Sequence, residues 1–134
     1  MVDGGWGVWV AIALGSAAGG VLRQLVTELT TRVAGGGFPA GTLLVNVSGS
    51  AAMGMAAALA LGVGGAPAWS PVTRHAVMTG LLGGFTTFSA FSMQTVALAG
   101  QGEWPAAAVN VVASVVSCLA ACWTGYAAVA ALVR

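Results

Sequence analysis

Four long apolar stretches restrict what this chain can fold into. A segment that crosses the hydrocarbon core of a bilayer needs about 20 mainly apolar residues, and such stretches cover residues 6–26, 40–63, 74–99 and 105–133. Only 5% of the 134 residues are charged, against about 25% in a soluble domain, so the chain cannot cover a water-facing surface. The sequence therefore predicts an all-α membrane protein, a single domain (1–134) of four transmembrane helices surrounded by membrane lipid.

The connections between the predicted spans are short. The first is polar and covers residues 27–39, the second carries Pro67 and Pro71, and the third is a turn at residues 100–103. Pro105 follows that turn and suits the first turn of the fourth helix, where its missing N–H is not needed. None of these connections is long enough to fold as a separate domain outside the membrane.

The third apolar stretch contains a weak point for a helix. Gly83 and Gly84 are followed closely by Thr86 and Thr87, and glycine and β-branched residues both disfavour a helix interior. Within hydrocarbon a broken backbone is tolerated only where protein or a water-filled cavity satisfies its polar groups. The pattern predicts a helix break over residues 83–87, buried in the middle of the protein. The alternative is an unbroken helix whose small residues allow close packing.

The arginines do not favour one orientation in the membrane. With four spans, Arg74 and Arg134 lie on one side of the bilayer, and Arg23 and Arg32 lie on the other. The excess of Lys and Arg that normally marks the cytoplasmic side is therefore nearly zero. The chain can insert both ways, and two oppositely inserted copies can form an antiparallel homodimer. The alternative is a small preference for one orientation.

The charged residues also argue against several classes of function. A net charge of +1 without a basic patch argues against nucleic acid as a partner. Asp3, Glu28 and Glu103 lie near span ends, so no carboxylate stands at the midplane, where proton- or cation-coupled transporters keep one. His75 lies near a span end beside Arg74, and no catalytic constellation is visible. We expect no enzyme, and a pathway through the protein must use neutral polar groups.

Neutral polar residues recur at helical spacing on the second and fourth spans. Thr42 and Asn46 are four residues apart and share one face of helix two. The Asn46 amide is costly in hydrocarbon unless it is paired, and interhelical hydrogen bonding is its alternative role. Asn110, Ser114 and Cys118 form a similar row on helix four. A serine such as Ser114 can also simply bond its own helix backbone.

Two phenylalanines lie on one side of the third helix. Phe88 and Phe91 are three residues apart, and Ser92 follows directly. The edge of an aromatic ring is positive and attracts a small anion without a formal charge, and amide and hydroxyl groups donate as well. Such a lining replaces part of an anion's hydration shell while leaving binding weak enough for exit. Packing in the core or against lipid is the alternative role for the two rings.

Three segments resemble those of a known family, the Fluc (CrcB) fluoride channels. Residues 41–49 (Gly-Thr-Leu-Leu-Val-Asn-Val-Ser-Gly) and 80–92 (Gly-Leu-Leu-Gly-Gly-Phe-Thr-Thr-Phe-Ser-Ala-Phe-Ser) look like the family's signatures. Residues 15–23 are similar to its first-helix glycine and arginine pattern. The resemblance implies a dual-topology antiparallel homodimer with two pores in a bacterial plasma (inner) membrane. It also implies passive, fluoride-selective export from the cytoplasm and resistance to fluoride.

The same resemblance implies roles for individual residues. The backbone carbonyls of Gly83 and Thr86 match positions that hold a structural sodium ion (Na⁺) on the dimer's two-fold axis, and Arg23 matches a vestibule arginine. Asn110 and Cys118 depart from the family pattern, which has an aromatic residue and a hydroxyl there. The residues that match the fluoride pore are Asn46, Phe88, Phe91, Thr42, Ser92 and Ser114.

Two functions of other classes remain as alternatives. A drug or cation antiporter of the small multidrug-resistance type is also small and four-helical, but it needs a glutamate in the middle of helix one. Glu28 lies at or beyond the end of that span. A non-transporting membrane subunit would pack through its small-residue faces and would tolerate Asn46→Leu without a transport phenotype. An ATP-driven pump is not indicated, because the chain has no Gly-x-x-x-x-Gly-Lys motif and no lysine.

Overall fold

The computed structural model describes residues 5–65 and 69–133, and the regular structure in these ranges is all helical. Asp3, Pro67 and Arg134, which entered the predictions above, lie outside the described residues. Each of the four long helices is long and apolar enough to cross a membrane, as predicted. They are α1 (Gly5–Ala34), α2 (Ala40–Ala60), α3 (Pro71–Gly100) and α4 (Trp104–Leu132), with a short 3₁₀ turn at Val63–Gly65.

Helix α1 is longer than its apolar stretch. Its polar end is stabilised by side chains one turn apart: Gln24 Nε2 donates to Glu28 Oε1 at 2.9 Å, and Arg32 Nη2 lies 3.7 Å from Glu28 Oε2. The helix ends before Gly35, whose φ of +78° is the left-handed conformation that commonly terminates helices. Most of the predicted connection at residues 27–39 is therefore helical, because local pairing continues the helix beyond the apolar span.

Helix α3 consists of two parts separated by two extended residues. We call residues 71–85 α3a and Phe88–Gly100 α3b. Ser70 caps the start of α3a by accepting a hydrogen bond from Thr73 N at 3.1 Å, and the middle of α3a, His75–Leu82, has the wide turns of a π-helix. Between the two parts, Thr86 (φ −79°, ψ 157°) and Thr87 (φ −152°, ψ 112°) have extended backbones. Both lie in the segment that the glycine and threonine pattern singled out.

Helix α1 packs against α3a through direct contact between backbones. A Cβ placed on Gly84 would lie 2.6 Å from the Ser16 carbonyl oxygen, and one placed on Gly19 would lie 2.8 Å from Phe85 N. Only glycine fits at such distances. Because lipid is as apolar as the side chains, close packing of this kind is a main source of helix association in a membrane.

Helix α2 packs against α4 in the same manner. The backbone of Gly54 contacts Cys122, and the backbone of Gly125 contacts Ala51, so closely that a Cβ on either glycine would collide with a carbonyl oxygen. Gly54 thus allows α2 and α4 to approach closely. Together the two glycine interfaces pair α1 with α3a and α2 with α4.

The outer surface of the bundle is apolar. Large hydrophobic side chains are exposed along α1, α3b and α4, including Leu14, Val96 and Leu119, each of them more than half exposed. Trp6 and Trp9 are exposed near the start of α1, where tryptophans suit the interface between membrane and water. An apolar surface of this extent requires lipid or a protein partner as its surroundings.

Candidate functional site

The two extended residues of α3 are paired with a side chain from α2. Asn46 Nδ2 donates to the carbonyl oxygen of Thr87 at 3.0 Å, and Thr87 N donates to Asn46 Oδ1 at 2.8 Å. One amide side chain therefore satisfies both backbone groups of Thr87, in the way that an adjacent strand would. This pairing solves the problem of a broken backbone within an apolar bundle. Asn46 is thus interhelical glue, the alternative considered for it, and it also lies at the candidate site.

The same junction uses hydroxyl groups to complete its local bonding. Thr87 Oγ1 accepts from Ala90 N at 3.2 Å and so caps the start of α3b. Thr86 bonds backward: its N and its Oγ1 both donate to the Leu82 carbonyl at 3.0 Å. The two threonines that weaken the helix centre in sequence therefore end one helix and begin the next.

A positive charge reaches the junction from α1. Arg23 Nη1 lies 3.4 Å from the carbonyl oxygen of Thr86, within reach of a weak hydrogen bond. Among residues 5–65 and 69–133, Arg23 is the single charged residue that lines a groove of about 620 Å³ between α1, α2 and α3b. The other hydrophilic side chains of this groove are those of Gln24, Thr27, Thr42, Thr87, Ser89 and Gln94.

A second, smaller hollow of about 210 Å³ lies next to the junction. Its polar lining comes from Asn46, Ser50, Thr86 and Thr87, and Phe88 forms part of its wall. Thr87 lines this hollow and also the larger groove. The break in α3 therefore stands between two partly polar spaces, and no carboxylate of the described part of the chain lines either of them.

The two phenylalanines are in contact immediately after the break. Their ring centroids are 5.2 Å apart and the ring planes are inclined by 51°, an arrangement between stacked and edge-to-face. Phe91 is buried at 8% exposure, whereas Phe88 is 77% exposed in the single chain. Ser92 Oγ donates to the Phe88 carbonyl at 2.9 Å. One ring is thus fixed within the bundle, and the other faces outward.

The predicted pore residues are distributed unevenly around the junction. Asn46 and Phe88 line the smaller hollow, and Thr42 lines the groove that also holds Arg23. Ser114 is buried on α4 at 7% exposure and lines neither space. Phe91 and Ser92 also line neither space and adjoin the junction through their contacts with Phe88. The structure therefore places the α2 and α3 residues around the junction and leaves the α4 serine apart from them in the single chain.

Two residues of α3b at this site were not predicted from the sequence. Gln94 lines the groove, and its buried Oε1 has no hydrogen-bond partner among residues 5–65 and 69–133. Thr95 accepts a hydrogen bond from Asn110 of α4 at 2.8 Å. Their spacing from Phe91, three and four residues, is the sequence signal that could have identified them, since it places both on the same side of the helix.

Comparison with known proteins identifies the family. The family described as CrcB-like protein, Camphor Resistance (CrcB), matches residues 10–126. The chain is 48% identical to the fluoride-specific ion channel FluC of Paramagnetospirillum magneticum over 120 residues, which are 90% of this chain and 93% of that protein. It is 46% identical over 125 residues to the proteins of the same name from Opitutus terrae and Methylocella silvestris, which is 93% of this chain and 94% and 93% of those proteins.

These matches extend from α1 into α4 and so include all four helices that are able to cross a membrane. The family consists of ion channels and not of enzymes. The motifs at residues 41–49 and 80–92, which suggested this family, contain Asn46 and the two extended threonines. The chain is thus a multi-pass membrane protein, and it belongs to the CrcB family.

Proposed function

We propose that this protein is a fluoride channel that passes the anion passively across the membrane. The observation that carries the proposal is the junction where Asn46 holds the Thr87 backbone beside Phe88, between two partly polar spaces without a carboxylate. Relatives named fluoride-specific ion channels, with up to 48% identity among those compared, support the choice of anion.

The donors at the junction suit a small, strongly hydrated anion. The Asn46 amide has two N–H donors, of which Thr87 uses one, so the second can donate to a passing fluoride. The positive edges of the Phe88 and Phe91 rings add a weak attraction that does not trap the ion. Thr42, Ser92 and Ser114 are the further pore residues of this proposal, and Arg23 raises the local anion concentration at the groove.

Transport then needs no energy source besides the membrane potential. Weak-acid entry of hydrogen fluoride loads the cytoplasm, and an inside-negative potential expels the anion with about 2.3 kcal/mol per charge per 100 mV. We place the protein in a bacterial plasma (inner) membrane, where such export confers fluoride resistance. The direction of flow follows from the gradient and not from the orientation of the chain.

The functional unit in this proposal is an antiparallel homodimer with two pores. The exposed Phe88 supports it, because a ring 77% exposed would contribute to a pathway only if a second copy covered it. The arginine balance supports opposite insertion of the two copies. Each pore would then be lined by residues of both subunits.

A structural sodium ion on the two-fold axis completes the proposed assembly. The residues present fit such an ion. Thr87 N, which would normally bond the Gly83 carbonyl, donates to Asn46 instead, and Gly83 is exposed in the single chain. The Thr86 carbonyl already faces the Arg23 guanidinium, a cation. Carbonyl oxygens are ligands that hard cations prefer, and a bound sodium would supply positive charge that holds the two junctions together.

Fluoride efflux from proteoliposomes, followed with a fluoride electrode, tests the function directly. We expect fast fluoride release and little chloride release. Equal release of both anions would refute selectivity, and release of neither would refute the channel. The same measurement and a thermal melt, each with sodium replaced by a large organic cation, test the ion: we expect both flux and stability to fall without sodium.

The phenylalanines are tested by Phe88→Ile and Phe91→Ile. Both changes keep an apolar side chain and remove the ring edge, so we expect lower fluoride flux from a dimer that stays intact on size-exclusion chromatography. Undiminished flux in both variants would remove the aromatic contribution from the proposal.

Dual topology is tested with one accessible cysteine. Gln101→Cys is made in a Cys118→Ser/Cys122→Ser background and is probed with a membrane-impermeant maleimide from each side of the membrane. We expect about half of the chains to react from either side, as the near-zero arginine bias requires. Labelling from one side alone would exclude the antiparallel dimer.

A further inference from the structure

We propose that Asn110 and Thr95 form a second clamp on the phenylalanine-bearing turn and act as positioning residues for Phe91. The inference rests on the proposed fluoride path. It concerns a position, Asn110, at which this chain departs from the family pattern. The sequence places it in a row of polar residues on helix four but indicates no partner for it.

The observation is a two-step relay of hydrogen bonds from α4 to α3b. Asn110 Nδ2 donates to Thr95 Oγ1 at 2.8 Å, and Thr95 Oγ1 donates to the Phe91 carbonyl oxygen at 2.8 Å. Asn110 is 2% exposed and is among the largest fully buried side chains of the described residues. An amide at this depth is costly unless it is paired. Asn110 therefore strongly favours the arrangement in which it bonds Thr95 of α3b.

The position of the relay explains what it does. Helix α3b begins after two extended residues and therefore inherits no continuous helical hydrogen bonding from α3a. Its start is held by the Asn46 pair on Thr87, and one turn beyond Phe91 it is held by the Asn110 bond to Thr95. Phe88 and Phe91 lie between these two amide clamps, one from α2 and one from α4.

A threonine bonded to its own helix is common, and Thr30 of α1 is another example in this chain. Thr30 Oγ1 also donates to the carbonyl four residues earlier, that of Val26, at 2.8 Å. Thr95 differs because its oxygen also accepts a bond from another helix, which fixes the hydroxyl direction and joins α4 to the Phe91 carbonyl. Linked hydrogen bonds in an apolar interior also strengthen each other.

The position of the Phe91 ring matters because the ring edges are proposed to attract the passing fluoride. A functional group must be kept within about 0.5 Å of its productive position by the residues around it. Phe91 is buried at 8% exposure, so its ring moves with its backbone. The relay holds that backbone through the hydrogen bond to the Phe91 carbonyl oxygen. Loss of the relay should therefore change conduction without requiring loss of the fold.

The experiment compares four variants in fluoride efflux and in thermal melts. Asn110→Leu/Thr95→Val replaces both partners with apolar side chains of similar shape, which can leave stability nearly unchanged. We expect this variant to fold as well as the parent and to release fluoride about tenfold more slowly. Thr95→Ser keeps the hydroxyl and loses a methyl group, so we expect it to conduct normally despite a lower melting temperature. Thr95→Val alone should conduct poorly, and Thr30→Val is the matched control with normal flux.

A positioning role predicts that the stable double variant conducts poorly and that the less stable Thr95→Ser conducts normally. A structural role predicts that flux falls together with stability. Normal flux in the stable double variant would overturn the inference, as would equal flux in Thr95→Ser and Thr95→Val. A slow Thr30→Val would also overturn it, because any back-bonded threonine would then have the same effect. If the parent protein releases no fluoride, the proposed function fails first, and that result cannot be confused with a failure of the relay.

Discussion

The two parts of α3 are held in the bundle by different forces. Residues 71–85 of α3a lie against α1 through glycines, with backbone on backbone. Helix α3b is held by amide side chains, Asn46 on Thr87 and Asn110 on Thr95. The contact between α1 and α3a depends on the absence of side chains, whereas the position of α3b depends on two particular side chains, those of Asn46 and Asn110.

This difference separates the scaffold from the site. Close packing through glycine is non-directional and tolerates no added volume. Hydrogen bonds are directional, so they can hold α3b at one angle after the break and leave polar atoms beside it for an ion. We therefore expect mutations in α3a to act on folding. Mutations at the two amide clamps of α3b, Asn46 and Asn110, should act on conduction as well.

The largest effect is expected from Asn46→Leu, which removes the first clamp. Both backbone groups of Thr87 lose their partner, and each unsatisfied buried group costs about 1–3 kcal/mol. We expect a melting temperature well below that of the parent and no fluoride efflux from the fraction that folds. Thermal melts in detergent and the efflux assay measure the two effects.

Ser48→Ala is the matched control on the same helix. Its exposed hydroxyl bonds the Leu44 and Val45 carbonyls within α2 itself, so we expect parental stability and flux. If Asn46→Leu melts like Ser48→Ala, then the Thr87 backbone is satisfied in another way and the clamp has no energetic importance.

A smaller effect, confined to stability, is expected from Gly19→Ala on the α1 face of α3a. The new Cβ would collide with the Leu81 carbonyl and lie 2.8 Å from Phe85 N, and overpacking of this kind costs about 1–3 kcal/mol. Gly20→Ala is the neighbouring control, because a Cβ there meets nothing within 4 Å of the single chain.

We expect the melting temperature to fall for Gly19→Ala and to stay level or rise for Gly20→Ala, since alanine favours a helix. Flux per amount of folded protein should stay near the parental value in both. A Gly19→Ala protein that melts normally but conducts poorly would mean that α3a shapes the path directly and would end the distinction between scaffold and site.

The smallest effect on stability is expected from Arg23→Gln. The 3.4 Å contact with Thr86 is long, so we expect the free energy of unfolding to change by less than about 1 kcal/mol. Because Arg23 is the one charge that the described residues place along the groove, its removal should lower fluoride efflux at low ionic strength and much less at high ionic strength, where charges are screened. Arg23→Lys keeps the charge and should behave like the parent. A loss of flux that is independent of salt would assign Arg23 to the junction's structure instead.

The sequence predicted the scaffold more fully than the site. The four membrane-capable helices and the family follow from apolar length and from the motifs at residues 41–49 and 80–92, and both are confirmed. The first helix continues beyond its predicted apolar span, because the pairing of Gln24, Glu28 and Arg32 extends it in a way that hydropathy does not register.

The partners of the two asparagines could not be predicted. Asn46 and Asn110 both stood out as polar residues in apolar helices, but helical periodicity gives only the face on which a side chain lies. Which backbone or hydroxyl it meets depends on how two helices cross. Thr95 was not singled out at all, since a threonine in a membrane helix usually bonds its own backbone.

By itself, the sequence determined that this chain spans a membrane with four helices, since apolar length and the scarcity of charge leave lipid as the only suitable surroundings. It also determined where α3 is weakest, because glycine and threonine disfavour a helix through local sterics. Only the tertiary structure decided what satisfies the extended backbone there, because that depends on contacts between residues 41 positions apart, as for Asn46 and Thr87.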